Sequence, residues 1–178
     1  MNKKDIYLAG ASFWGGKAFL EALPGVEKVE LGVIDANSGT VQANDWTSYP
    51  SNDYLGTTEV CKVTYDADKL ELGALVDAFF TTIDPHSLAK QINYSGPLPE
   101  AKVYYLDAED EVIVDKRIAE LQKRLARPVT VECIPFTNFE PIGIYAEDFV
   151  SRNLGEKHVV PADAAKKYVE AHKDQFQA

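Results

Sequence analysis

The sequence predicts an α+β fold, a two-layer sandwich with helices packed on one face of a mixed sheet, close to a split βαβ arrangement. Three observations point to it. The apolar period switches between two and 3.6 residues in the order strand, helix, strand, strand, helix, strand, helix, strand. The chain has 178 residues, 46% of them hydrophobic and 11% aromatic, which is enough to bury a core and too apolar for disorder. No internal repeat, low-complexity tract or Ser/Gly linker divides it, so residues 1–178 read as one domain. Within it, 155–178 form a C-terminal extension expected to be helical.

Ile6-Tyr7-Leu8-Ala9 reads as a first, mostly buried strand, and Gly10 and Ala11 follow it. A helix over about 12–23 carries Phe19, Leu20 and Leu23 on one stripe and stops at Pro24-Gly25. Residues 26–34 alternate, with Val29, Leu31 and Val33 on one side, as a second strand does. The stretch 35–58 is rich in Asn, Ser, Thr, Gly and Tyr. A loop of that length in a compact domain is more often functional than idle.

A third strand is predicted over 59–65, and Asp68 as the N-cap of a helix bearing Leu72, Leu75, Val76, Phe79, Phe80 and Ile83. Asp84-Pro85 ends that helix and a second loop runs to about Glu100. Residues 102–106 form a fourth strand. Val114, Ile118, Leu121 and Leu125 mark a third helix ending before Pro128, and Val129, Val131 and Cys133 alternate on a fifth strand. A polar loop, a short helix near 146–153 and a last helix near 162–176 complete the reading.

Eighteen basic residues against twenty-eight acidic ones give a net charge of −10. Such a surface repels phosphate and anionic lipid, so neither a nucleic acid nor a membrane is an expected partner. The N-terminal apolar run is too short for a signal peptide and no stretch is long enough to span a bilayer, which makes the cytoplasm the expected location. Cys61 and Cys133, each within an alternating apolar segment, are expected to be buried, reduced thiols. His86, His158 and His172 are scattered, and no His/Cys cluster has metal-ligand spacing. Gly56-Thr57-Thr58 is too short for a phosphate loop.

The chemistry is expected at Ala11-Ser12-Phe13-Trp14-Gly15. Ser12 stands where a strand hands over to a helix, at the positive end of the helix dipole and beside unpaired N–H groups. A nucleophile or anion is favoured there, with two rigid aromatic rings next to it. Serine is also a preferred N-cap, and Phe13 and Trp14 can equally be core. A hydrolase reading fits poorly, because Trp14 occupies the last glycine position of a G-x-S-x-G elbow.

Ala9-Gly10-Ala11-Ser12-Phe13-Trp14-Gly15 resembles the Gly-Cys-Phe-Trp-Gly motif of peptide methionine sulfoxide reductase A. Pro24-Gly25-Val26 is similar to that family's Pro-Gly-Val turn, and Glu59-Val60-Cys61-Lys62-Val63-Thr64-Tyr65-Asp66 to its Glu-Val-Val-Arg-Val-Thr-Tyr-Asp strand. Asp84-Pro85-His86-Ser87-Leu88 with Lys90-Gln91-Ile92-Asn93 resembles Asp-Pro-x-Ser-Leu then Arg-Gln-Gly-Asn. Pro135-Phe136-Thr137-Asn138-Phe139-Glu140-Pro141 and Tyr145-Ala146-Glu147-Asp148-Phe149 continue the likeness. It covers about 5–154 in the right order and implies a ferredoxin-like core.

In that family a cysteine at the helix start attacks the sulfoxide sulfur of oxidised methionine, free or in peptides. A glutamate protonates the oxygen, tyrosines and an aspartate bind the polar part of the substrate, and the Phe-Trp pair cups its methyl group. No bound cofactor is implied; thioredoxin or another thiol is the reductant. Carried onto this chain, Ser12 takes the nucleophile position, Glu59 the proton-donor position, and Phe13, Trp14, Tyr49 and Tyr94 the substrate contacts. Tyr54 competes with Tyr49.

Three positions depart from the pattern. Ser12 replaces the cysteine, and a hydroxyl cannot form a sulfenic acid. Tyr94 stands for aspartate and Pro99 for tyrosine, and no cysteine follows Glu156. Two functions result: a reductase-family enzyme impaired at its first step, or a catalytically silent binding protein that keeps the Phe13, Trp14 and Glu59 pocket. Departures at 94 and 99 as well as 12 favour natural divergence over a single substitution.

Overall fold

Alternation along the first strand divides the sheet into two unlike faces. The computed structural model describes residues 1–35, 57–89, 98–142, 160–161 and 163–176. Its strands are β1 (Lys3–Ala9), β2 (Val26–Asp35), β3 (Thr57–Asp66), β4 (Lys102–Tyr105), β5 (Glu132–Pro135) and β6 (Glu140–Pro141). Its helices are α1 (Phe13–Glu21), α2 (Leu72–Phe80), α3 (Ala108–Arg124) and α4 (Ala164–Ala171), the last followed by a 3-10 turn, Lys173–Gln175.

On β1, Ile6 and Leu8 join a large core with Val29, Leu31 and Val33 of β2 and Cys61, Val63 and Tyr65 of β3. Phe19 and Leu20 of α1, Leu75 and Phe79 of α2, Val114 and Leu121 of α3 and Ala165 of α4 close that core from one side. Each fully buried aliphatic or aromatic side chain contributes about 1.5–3 kcal/mol of transfer free energy. Tyr7 and Ala9, one residue out of phase, face the other way with Ile34, Val60 and Tyr104. There Tyr7 stacks on Phe136 at 4.3 Å and meets Phe139 at 5.3 Å.

The strand order is β5-β4-β1-β3-β2-β6. β4 and β5 run parallel and every other pair is antiparallel, so the sheet is mixed and all four described helices pack on one face. The inner order β4-β1-β3-β2 is the split βαβ core: β3 lies between β1 and β2, and β1 between β3 and β4.

Four local expectations need correction. Asp68 does not cap α2; it binds the N-terminal ammonium at 3.1 Å, and Glu71 is the N-cap residue without a side-chain capping bond. The fifth strand begins at Glu132, not Val129, because the Thr130 N–H donates to the Pro85 carbonyl at 2.8 Å instead of to a strand. β6 replaces part of the expected polar loop, and Gly32 admits it, since a Cβ there would lie 2.4 Å from the Phe139 ring and from the Glu140 carbonyl. Cys133 is only half-buried, as β5 is an edge strand, whereas Cys61 is buried; neither is in a disulfide. The helix expected near 146–153 lies outside the described residues.

α3 begins with acidic Glu109, Asp110 and Glu111 and ends with Lys123 and Arg124, matching its dipole. The Asp107 carboxylate accepts the Asp110 N–H at 2.8 Å, a capping bond. The Asp110 side chain is 1% exposed and accepts the Lys4 ammonium at 2.6 Å, tying the start of β1 to the start of α3. Burial opposes the Lys4 charge, but the Asp110 hydrogen bond and the charges of Asp110, Asp107 and Glu109 outweigh it and raise its pKa. Lys4→Met leaves the buried carboxylate without its cation and is expected to lower the free energy of urea unfolding by on the order of 3 kcal/mol. An unchanged unfolding midpoint would show that this pair holds nothing together.

Candidate functional site

β1 ends at Ala9, and Gly10 turns the chain out of the sheet with φ at +123°. A Cβ at Gly10 would also lie 2.6 Å from the Ala101 Cα. Only glycine meets both demands. Ser12 then stands in extended conformation, φ −62° and ψ 145°, as the N-cap residue of α1. Its carbonyl accepts the Gly16 N–H at 2.8 Å, but its hydroxyl makes no capping bond to the helix. Capping therefore does not account for the serine. Its residue is only 2% exposed.

Glu59 sits on β3 opposite Val33 of β2. It is in phase with Cys61, Val63 and Tyr65, so it shares the helix-covered face. Both of its carboxylate oxygens are shielded from solvent, unlike a strand-end surface charge. The register between β1 and β3 pairs Leu8 with Cys61 and runs toward Gly10 and Glu59. Ser12 and Glu59 thus belong to the same end of the sheet. Cys61 lies beneath the first turn of α1, since a Cβ on Gly16 would be 3.7 Å from its sulfur.

The described parts of two further motif segments reach the same end. Glu140 of β6 pairs with Val33, the residue that pairs with Glu59. The Ser87 hydroxyl donates to the Leu98 carbonyl at 2.6 Å and the Glu100 N–H to the Ala89 carbonyl at 2.8 Å. These bonds bracket the second loop, and Ala101 carries the bracket onto Gly10. Half-buried Pro99 lies within it.

Phe13 and Trp14 form the start of α1, with side chains outside the described residues. Tyr49, Tyr54 and Tyr94 also lie outside the described residues. Val160 carries no motif, yet its backbone nitrogen and Cγ2 would each be 2.9 Å from a Cβ on Gly15, and the Ser12 Oγ 2.8 Å from it. Nothing local in the sequence announces a contact between residues so far apart.

Cys61 and Cys133 are separated by β1 and β4, three strand spacings or about 14 Å, too far for a disulfide. The Cys133 thiol is pushed up to about 12 by burial, by the charge of Asp115 and its hydrogen bond, and by the charge of Glu111. Among the described residues no group of three or more His, Cys, Asp or Glu is placed to hold a metal. Also among them, no helix is long and apolar enough to cross a membrane.

A buried serine at a helix start and a shielded carboxyl thus lie at one end of the sheet. Residues 4–177 match the family model described as peptide methionine sulfoxide reductase. The chain is 30% identical over 150 residues to the peptide methionine sulfoxide reductase MsrA of Mycoplasma pneumoniae, covering 84% of this chain and 93% of that protein. Its fold is similar to methionine sulfoxide reductase A of Corynebacterium diphtheriae, with TM-score 0.66, 17% identity, and 85% of this chain and 76% of that one covered. Mxr1 of Saccharomyces cerevisiae in reduced form gives TM-score 0.68 and 19% identity, with 90% and 91% covered; Mxr1 has also been solved in complex with Trx2. With a family model spanning nearly its whole length, the chain belongs to the peptide methionine sulfoxide reductase family.

Proposed function

We propose that this protein recognises methionine sulfoxide, free or in peptides, at the Ser12 turn, and that it does not reduce it. The observation that carries the reading is the convergence of the Ser12 turn and the shielded Glu59 carboxyl at one end of the sheet. Phe13 and Trp14 cup the methyl group, Glu59 gives a hydrogen bond or proton to the sulfoxide oxygen, and hydroxyls of Tyr49 and Tyr94 hold the polar part of the ligand.

Reduction requires a group that can take the oxygen. A thiolate attacks the sulfur, the S–O bond breaks, and a sulfenic acid and a thioether result; a thiol reductant such as thioredoxin then regenerates the thiol and releases water. A serine hydroxyl is barely ionised at neutral pH and its oxygen cannot be oxidised in this way. The site keeps recognition and lacks the electron donor. A thioredoxin-type partner has work to do only with cysteine at position 12.

Turnover of methionine sulfoxide with a dithiol reductant is therefore expected to stay at the uncatalysed background. Ligand titration by Trp fluorescence is expected to distinguish methionine sulfoxide from methionine. Equal response to the two would overturn the recognition reading, and turnover typical of a cysteine-bearing relative would overturn the silent one. S12C is expected to gain sulfoxide reduction; continued silence would place a second defect in the loop bearing Tyr94 and Pro99.

Cys133 cannot substitute for the missing sulfur. A thiol near 12 is ionised to about one part in ten thousand at pH 8. Iodoacetamide at pH 8 is expected to leave Cys133 largely unmodified, and Asp115→Asn to speed its labelling. Rapid labelling in the unaltered chain would restore Cys133 as a redox candidate.

A further inference from the structure

A cleft opens at the end of the sheet away from Ser12 and Glu59. Lys4 and Tyr65 pair across β1 and β3, so their side chains share the helix-covered face there. Beside them the start of α2 and the first half of α3 bound a space of about 290 Å³. Sites for organic ligands begin at about 300 Å³, so the cleft suits a small one.

One wall is acidic. Asp110 is 1% exposed, and its Oδ1 accepts the Lys4 ammonium at 2.6 Å. Its Oδ2 is shielded from solvent and has no hydrogen-bond partner among the described residues. A buried carboxylate oxygen in that state calls for a donor. The Tyr65 hydroxyl is near enough to feel the carboxylate, because burial and then the charge of Asp110 push its pKa up.

The facing wall is cationic. Gly73, in the first turn of α2, lets the Arg117 guanidinium lie against the helix start, since a Cβ there would be 2.5 Å from both Nε and Nη2. Nη1 is committed to Asp77 at 3.0 Å and Glu120 at 3.4 Å. Nε and Nη2 are thereby left for the cleft that Arg117 lines. The N-cap residue Glu71 makes no side-chain capping bond, so the first N–H groups of α2 and its positive dipole end add to the guanidinium. Leu72 and Ile113 supply apolar surface between the two walls.

A lone anion in this cleft meets Asp110, and a lone cation meets Arg117. A ligand carrying both charges satisfies each wall. Asp110, Ile113 and Arg117 lie at i, i+3 and i+7 on one face of α3, so their Cα atoms are roughly 10 Å apart along the axis. The arginine side chain leans back toward the helix start, and a compact ligand with a hydrogen bond of about 2.8 Å at each end can touch both groups.

We propose that this cleft binds a free α-amino acid with an apolar side chain, its ammonium on Asp110 Oδ2 and its carboxylate between Arg117 and the start of α2. The apolar side chain rests on Leu72 and Ile113.

The test follows the full-length chain by proton–nitrogen correlation NMR, reading the Gly73 amide and the Arg117 Nε–H while L-leucine is added. Isoamylamine, which lacks the carboxylate, and isocaproate, which lacks the ammonium, serve as half-ligands. Leucine is expected to shift both signals saturably, and each half-ligand to bind at least tenfold more weakly. D110N and R117M are each expected to weaken leucine at least tenfold. If D110N unfolds through loss of the Lys4 pair, G73A carries the test: it keeps every charge, yet its Cβ displaces the guanidinium, so at least tenfold weaker binding is expected with the urea midpoint retained. Leucine bears no sulfoxide, so the result is independent of the Ser12 turn. A full response to isocaproate alone would make the cleft an anion site and overturn the proposal. So would the absence of any shift with leucine at about 10 mM, or an affinity unchanged in both R117M and G73A.

Discussion

The arrangement depends on the insertion of β3 between β1 and β2. That pairing fixes Leu8 opposite Cys61 and Val33 opposite Glu59. A slip of one residue would turn Glu59 to the opposite face, with Tyr7 and Tyr104, and bring Cys61 and Val63 out of the core. The apolar alternation of β3 resists such a slip, because Cys61, Val63 and Tyr65 are all buried against the helices. The position of the acid is therefore set by the strand register and the core beneath it. The same strands form the floor under α1, so the helix start and the carboxyl are referred to one frame.

Much of this was legible in the sequence. Periodicity placed β1, α1, β2 and β3 within a few residues, since each carries an uninterrupted apolar pattern. It misplaced β5, because Val129 and Val131 alternate like a strand while their neighbour Thr130 bonds to Pro85. It missed β6, whose two residues have no period and depend on a glycine in another strand. Asp68 reads as a cap, but its carboxylate binds the Met1 ammonium at 3.1 Å and Glu71 is the N-cap residue. Each error concerns a backbone group whose partner is remote in sequence, which local pattern cannot see.

The site was legible to the extent that it is built from contiguous motifs. Ser12 and Glu59 are found by their flanking residues, and strand register explains how they come to one end of the sheet. The shielding of both Glu59 oxygens could not be read from the sequence. Conversely, capping was a sufficient reason for serine at 12 until its hydroxyl proved to make no capping bond. Val160 had no signal at all, because a valine before a helix resembles any other. Burial first, then the charge and hydrogen bond of Asp115 and the charge of Glu111, push the half-buried Cys133 thiol up, which no apolar alternation reveals.

The contact between Gly15 and Val160 also orders events during synthesis. Strands β1 to β3 and the turn at Ser12 leave the ribosome more than ninety residues before Val160 does. Loop closure over so long a span is slow compared with pairing of the inner strands. The nascent domain therefore passes through an interval in which the inner strands have paired and Val160 has not yet reached Gly15. Closure of this contact is a late, separate step, and a chain cut short before residue 160 would lack it together with the buried Ala165 and Phe176.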